Sequence, residues 1–271
     1  MQDGELTSNP GVLIERPEPG VAVLRLNRPH TRNSLSLSMM DALSSGLTEL
    51  AEDAAVRTIV LAANGPAFCA GHDMKELAAR RPDADGGRAF YVTTMNRCTA
   101  LMQQIVACPK PVIAAVHATA TAAGCQLVAT CDLAVAADAA KFCTPGVNIG
   151  LFCSTPMVAL TRNVPRKRAM EMLLLGEMLP AAEAVDYGLI NRAVPASDVM
   201  EAALAFARQI ASKSPATMAI GKAAFYAQIE KPLADAYTYA AEIMVQNMML
   251  RDASEGIDAF LEKRKPEWKG R

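Results

Sequence analysis

Apolar residues fall along this chain in two rhythms. Short, mostly apolar runs read as strands: residues 21–26 (VAVLRL), 58–62 (TIVLA), 112–116 (VIAAV) and 133–136 (LAVA). Turn residues close the first two, Asn27-Arg28-Pro29 and Asn64-Gly65-Pro66. Longer stretches follow the helical period. Met40, Leu43, Leu47 and Leu50 share one face, and Ser38 with Asp41 resembles a capping box. Met95, Met102 and Ile105 recur within a helix predicted over 88–107, whose end Pro109 and Pro111 bracket. A further helix is predicted from about residue 123 to about 131. Between the second strand and the long helix, PDADGG at 82–87 is the best candidate for a mobile loop.

Strands that are apolar on both faces and alternate with helices predict an α/β fold with mostly parallel pairing. After about residue 195 the pattern becomes helical, with helices predicted over 199–212, 217–230, 233–250 and 254–265. The organisation expected is a sheet-bearing core over 1–195 and a helical region over 196–271. In the latter, Met244, Met248 and Met249 are read as packing residues, against the core or a neighbour.

Composition narrows the class. With 271 residues, 51% of them apolar, the chain can build a large core. Lys plus Arg (27) nearly balances Asp plus Glu (28), so nothing general favours nucleic acid or an anionic membrane as a partner. The seven cysteines have no Cys-x-x-Cys spacing, and several sit in apolar runs. They read as buried thiols in a reducing compartment, not as a disulfide or zinc framework. The start, MQDGELTSNPGVLIERP, is acidic and has neither a signal-peptide apolar segment nor transit-peptide arginines, so the expected location is cytoplasmic. Residues 111–131 carry no formal charge over a membrane-spanning length. They are rich in Ala, hold His117 and Gln126, and read as a buried strand leading into a buried helix.

Two stretches carry the candidate chemistry. In FCAGHD, residues 68–73, Gly71 permits a backbone turn that leaves the next N–H facing a cleft. In ATAAGCQ, residues 120–126, small residues stand where a helix begins and offers free N–H groups. Two such donors converging on one point would form an oxyanion hole. The alternative reading of each stretch is tight strand–helix packing.

Taken in order, LNRP at 26–29, FCAGHDMKEL at 68–77, AAGCQLVATCDLAVA at 122–136, KFCTPGVNIGLF at 141–152 and AFLEKRKPEW at 259–268 resemble the crotonase (enoyl-CoA hydratase/isomerase) superfamily over nearly the whole chain. The resemblance implies a crotonase-like spiral of ββα turns with a helical C-terminal region that trimerises, as a homotrimer or a dimer of trimers. It implies an acyl-CoA thioester as substrate, with coenzyme A part of that substrate and no separate cofactor or metal. The implied oxyanion donors are the N–H groups of His72 and Ala123.

The two glutamates that add water in the family's hydratases fall on Gln126 and Gly146, neither of which is a carboxylate. Gln126 can hydrogen-bond but cannot exchange a proton, so hydration of simple enoyl-CoA substrates is expected to be weak or absent. His72 is the candidate replacement for proton transfer, and a histidine at this place also resembles the superfamily's decarboxylase branch; the other reading is a loop residue that holds turn geometry. For CoA the family pattern points to backbone from Ala70 through Asp73 and Met74 to Lys75, with Arg32 and Lys75 as phosphate partners. Gly124 flanks the hole, and Cys153 with Ser154 would line the acyl pocket. Lys263, Arg264 and Lys265 would either meet CoA phosphates or stabilise a helix end. His117 is expected to be a satisfied core residue and His30 to be exposed.

Overall fold

The computed structural model describes residues 11–271. The targeting reading of the N-terminus falls largely on residues 1–10, outside the described residues. Strands β1 (Val12–Glu18) and β2 (Gly20–Leu26) form an antiparallel pair. Helix α1 (Leu37–Glu52) leads to β3 (Val56–Ala63), then α2 (Met74–Ala78), α3 (Arg88–Ala107) and β4 (Val112–Val116). Next come β5 (Ala120–Thr121), α4 (Ala123–Thr130), β6 (Leu133–Ala137) and β7 (Lys141–Cys143). Helices α5 (Pro156–Leu160) and α6 (Arg166–Leu175), strand β8 (Leu179–Pro180), helix α7 (Ala181–Asp186) and strand β9 (Arg192–Val194) complete the sheet-bearing part. Four helices follow: α8 (Val199–Ala211), α9 (Pro215–Gln228), α10 (Leu233–Met248) and α11 (Arg251–Leu261).

The main sheet runs β1-β2-β3-β4-β6-β9, parallel throughout except for β1. A small sheet, β5-β7-β8, stands beside it. Strand β4 is buried at every position and β3 at all but one, as expected for strands covered on both faces. Helix α1 packs against β1, β2, β3 and α3, while α8 lies across β2, β3, β4 and β6. Helix α8 buries Val199, Ala203 and Ala207 at helical spacing.

Some expectations are corrected. The cap of α1 is Ser36, which accepts from Met39 N; Ser38 lies inside the helix, so the Ser38/Asp41 capping box is not formed. Strand β1 was unpredicted because Glu15, Arg16 and Pro17 break its apolar pattern, as suits an edge strand with a bulge between Glu15 and Glu18. Residues 82–86 are exposed outside the secondary structure, in keeping with the loop reading, and Asp85 accepts from Gly87 N (2.9 Å) and Ala89 N (2.7 Å) at the start of α3. Met244, Met248 and Met249 are exposed in the single chain, so of the two packing partners expected, core or neighbour, the core is set aside. Met249, just past α10, is 81% exposed, and Met244, Val245 and Met248 within α10 are exposed too.

Two buried polar clusters tie the C-terminal helices down. Lys222 of α9 donates to Asp132 Oδ2 at 2.7 Å and to the carbonyls of Ile105 and Lys110, while Tyr226 donates to Asp132 Oδ1 at 2.9 Å. Asp132 follows α4 directly, so α9 is anchored to the end of that helix. The second cluster centres on Asp252, 1% exposed, which accepts from Ser214 Oγ (2.7 Å), Lys269 N (2.8 Å) and Gly270 N (2.9 Å). It clamps the chain's last residues onto α9 and α11. Burial alone would raise the Asp252 pKa, but the bonds from Lys269 N, Ser214 and Gly270 N outweigh it and hold the carboxyl below its ordinary value.

Asp252→Ala removes the acceptor of three donors, one of them the buried Ser214 hydroxyl, and should cost about 1–3 kcal/mol in urea unfolding at pH 7. Because the folded pKa is depressed, this contribution is present above the unfolded aspartate value of about 3.9 and is lost as pH falls through the folded pKa. The gap between the wild type and Asp252→Asn should therefore shrink in acid; a gap that stays constant from pH 7 to pH 3 would contradict the clamp.

Candidate functional site

The site is built where three irregular segments lie side by side. Segment 68–73 is held on one side by segment 32–35, through Ala70 N to Arg32 O (3.0 Å) and Leu35 N to Gly71 O (2.8 Å). On the other side it pairs with segment 119–121, through Phe68 N to Thr119 O and Thr121 N to Cys69 O, both 3.0 Å. Thr121 Oγ1 adds a bond to Ala70 O. Asn33, fully buried, underpins the first segment: its Nδ2 donates to Asn64 O and Ala67 O, and its Oδ1 accepts from Arg28 N. Arg32 and Asn33 both have φ of +53°, a left-handed pair that turns the chain toward α1.

This frame aims two N–H groups. The carbonyl of Gly71 is bound by Leu35 N, so across the trans peptide the His72 N–H points away from segment 32–35. The carbonyl of Ala122 accepts from Gln126 N in the first turn of α4, so the Ala123 N–H points out of the helix start. No acceptor among the described residues engages either donor. The two loops touch here. A methyl added at Gly71 would lie 2.9 Å from Ala122 Cβ and 3.3 Å from Ala123 N, and Gly71 itself has φ +89°. A methyl at Gly124 would lie 2.2 Å from Cys69 O. Ala122 has φ 51° and ψ −119°, a conformation costing an alanine roughly 1–3 kcal/mol, and its N–H is pinned to Cys143 O at 2.9 Å.

The side chains around these donors are mostly neutral. Gln126 is 5% exposed, and its Oε1 accepts from the Cys98 thiol of α3 at 3.9 Å. His72 Nδ1 lies 3.4 Å from Leu35 O, while its Nε2 is buried without a partner. Burial lowers the His72 pKa, against a smaller opposing effect of the Leu35 carbonyl, so the ring is neutral at pH 7. Gly146 is buried, and a methyl there would stand 2.8 Å from Leu151 O and 3.0 Å from Cys153 Sγ. The Gly146 N–H supports the Cys153 sulfur, yet burial still raises that thiol's pKa. Cys69, Cys98, Cys125 and Cys143 are likewise free, buried and raised, Cys98 and Cys143 to about 11.

Three of the residues read as CoA partners are exposed. Arg32 and Lys75 are exposed and without an ion pair among the described residues, and Met74 is exposed. Asp73 caps α2, accepting from Lys75 N and Glu76 N, and also binds Ser34 Oγ. The Ala70 N–H is already used by Arg32 O, so only its carbonyl's second lone pair is open. Arg264 is held by Glu255 and Glu262, leaving Lys263 and Lys265 as the uncommitted cations of that cluster. His30 is exposed. His117 is half-buried past the end of β4, with Nε2 on Gly65 O at 2.8 Å but Nδ1 unpartnered, so it is only half satisfied. Asn33, Thr121 and Cys98 escaped the sequence reading. Only Asn33 left a trace there, as an Asn after a Pro turn, the residue type that accepts positive φ.

Comparison with known proteins fits this geometry. A profile of the family described as enoyl-CoA hydratase/isomerase matches residues 16–271. The chain belongs to the enoyl-CoA hydratase/isomerase family, and its fold is the crotonase fold. It is 46% identical to the rat protein named enoyl-CoA hydratase domain-containing protein 3, mitochondrial, over 96% of this chain and 85% of that one. The human protein of the same name is 45% identical over 98% and 86%. A crystal structure of an enoyl-CoA hydratase from Mycobacterium smegmatis superposes with a TM-score of 0.91 at 51% identity, covering 96% of this chain and 99% of that one. That of human enoyl-CoA hydratase domain-containing protein 3 gives 0.90 at 46%, covering 95% and 100%.

Gly124→Ala should separate the two loops and lower the thermal midpoint by several degrees, since a Cβ cannot share space with Cys69 O. Ala122→Gly removes the backbone strain and should leave stability unchanged or raise it by up to about 2 kcal/mol. A clear loss of stability in Ala122→Gly would show that the conformation is not strained.

Proposed function

We propose that this protein binds an acyl-CoA thioester and stabilises an enolate-type anion on its carbonyl oxygen with the N–H groups of His72 and Ala123. The observation that supports this reading is the close approach of Gly71 to the start of α4, together with the lack of an acceptor among the described residues for the His72 and Ala123 N–H groups. One such donor is typically worth roughly 10²–10³ in rate. His72 Nε2 is the group proposed to move the proton, being neutral, buried and free of partners. Coenzyme A belongs to the substrate, and the reading needs no other cofactor. Arg32, Lys75 and the Asp73–Met74 backbone lie on the rim where its phosphates and pantetheine would pass.

Simple hydratase chemistry is not part of the proposal. Gln126 has no exchangeable proton at neutral pH, and a glutamate at position 146 would collide with Leu151 O and Cys153 Sγ. Loss of an acid/base pair typically removes about 10²–10⁴ per group. The absence of carboxylates favours, as a second reading, a non-catalytic acyl-CoA-binding protein; the unpartnered His72 Nε2 favours catalysis, a decarboxylase-type reaction among the options. The site is assigned to residues 1–195, and residues 196–271 to assembly as a trimer or dimer of trimers. Exposed apolar residues there support that assignment, Leu233 at 75% and Phe260 at 82% among them, with a groove of about 480 Å³ between α9, α10 and α11. Free, buried cysteines suit a reducing compartment, read above as cytoplasmic, although the similar vertebrate proteins are named mitochondrial.

Micromolar protein mixed with crotonyl-CoA should leave the enoyl-thioester absorbance unchanged over an hour while binding the thioester saturably; rapid loss would overturn the argument from Gln126 and Gly146. On a substrate that is turned over, His72→Ala should abolish turnover yet keep acyl-CoA affinity within a few-fold, because the backbone donor survives. Retained turnover would remove His72 from the chemistry. For a neutral base with a lowered pKa, kcat/KM should stay level through neutrality and fall only in acid, below the ordinary histidine value of about 6.5. A fall centred above that value would exclude His72.

A further inference from the structure

Gln126 offers more than a missing carboxylate. Its carboxamide has one acceptor and two donors. The acceptor, Oε1, faces the fully buried Cys98 thiol. Burial raises that thiol's pKa to about 11, so it stays protonated at neutral pH and has a hydrogen to give. No hydrogen bond among the described residues engages the amide nitrogen. Gln126 lies three residues past Ala123 on α4, about 4.5 Å further along the axis. Take a thioester oxygen on the His72 and Ala123 donors, with its acyl chain running along this turn. C3 of that chain is two bonds from the thioester carbon, roughly 2.5 Å at ordinary carbon–carbon lengths. A substituent there comes within the span of one helical turn.

We propose that Cys98 is a positioning residue that turns the Gln126 amide with its NH2 toward the acyl chain, and that this third donor selects acyl-CoA thioesters bearing an acceptor oxygen on C3, a ketone or a carboxylate. The proposal rests on the acyl-CoA reading and adds a substrate class to it. A carboxylate at position 126 would present an acceptor or a base; the amide presents donors, and the polarity of the subsite is reversed. An acyl chain with no oxygen at C3 makes no hydrogen bond to this donor and forgoes its contribution.

The test is calorimetric titration of the full chain with butyryl-CoA, acetoacetyl-CoA and malonyl-CoA. A C3 oxygen should tighten binding about tenfold over butyryl-CoA. Preference for either oxygenated thioester supports the proposal, and the stronger of the two says whether the oxygen is a ketone's or a carboxylate's. Gln126→Met, similar in length but without donors, should bring the affinity ratio to about one. Cys98→Ala should reduce it several-fold. The ratio is a readout that general loosening of the core would not move. Equal affinities in the wild type, or a ratio that survives Gln126→Met, would overturn the proposal while leaving acyl-CoA binding in place. A ratio unchanged in Cys98→Ala would overturn the role of Cys98. No binding of any of the three thioesters would overturn the acyl-CoA reading together with the inference.

Discussion

The contact between the Cys69–Gly71 backbone and the first turn of α4 governs the rest of the site. Gly124 has no room for a Cβ against Cys69 O, and Gly71 has almost none against Ala122 and Ala123. Backbone-on-backbone packing at this distance leaves no gap for water between the loops, and each chain must then satisfy its polar groups locally. Most are satisfied, by the bonds to segment 32–35, to Thr119 and to Cys143. Among those left without an acceptor are the N–H groups of His72 and Ala123. Ala122 tolerates its unfavourable backbone angles because bonds on both sides over-determine them, from its N–H to Cys143 O and from Gln126 N to its carbonyl.

Charge is distributed in keeping with that arrangement. Around the donors stand a neutral histidine, a glutamine and protonated thiols, so no fixed anion competes for the donors. The anions of this region lie elsewhere and are committed. Asp73 caps α2, Glu76 accepts from Leu37 N at the start of α1, and Asp132 holds Lys222 at the opposite end of α4. The α4 segment is thus held at both ends, by backbone contact at its start and by a buried ion pair with Tyr226 and backbone carbonyls just past its end. A buried pair of this kind gives little net stability, but it does fix which helix lies where. Here it fixes α9, from which the exposed apolar helices α10 and α11 project.

Much of the fold was legible in the sequence because its strongest periodic stretches are also its best-buried elements. The predicted limits of the 88–107 helix and the 112–116 strand match the structure, since each is bounded by turn or proline signals and faces the core on the expected side. The strand at 12–18 was not legible, because an edge strand tolerates Glu15, Arg16 and Pro17 that a covered strand would not. The helix cap was misplaced by two residues, since Ser36 and Ser38 are equally good caps by type and only the chain's path decides between them. The methionines near the end of α10 were read as packing on the core or a neighbour, and they are exposed in the single chain, because periodicity reports an apolar face and not what covers it.

For the site, the sequence by itself determined the ingredients: the glycines at 71 and 124, the small residues at the start of α4, and the absence of carboxylates at 126 and 146. These follow from side-chain chemistry, which does not depend on context. The tertiary structure alone decided how they meet. Only it puts the Cys69 carbonyl in the place of a Gly124 side chain, fills the space beside Gly146 with Leu151 O and Cys153 Sγ, and turns the Gln126 amide against Cys98. Such contacts join residues tens of positions apart, with Cys69 and Gly124 55 apart and Cys98 and Gln126 28 apart. Local pattern carries no information at that range, because the separation is set by how the sheet and its crossovers pack and not by the residues between them.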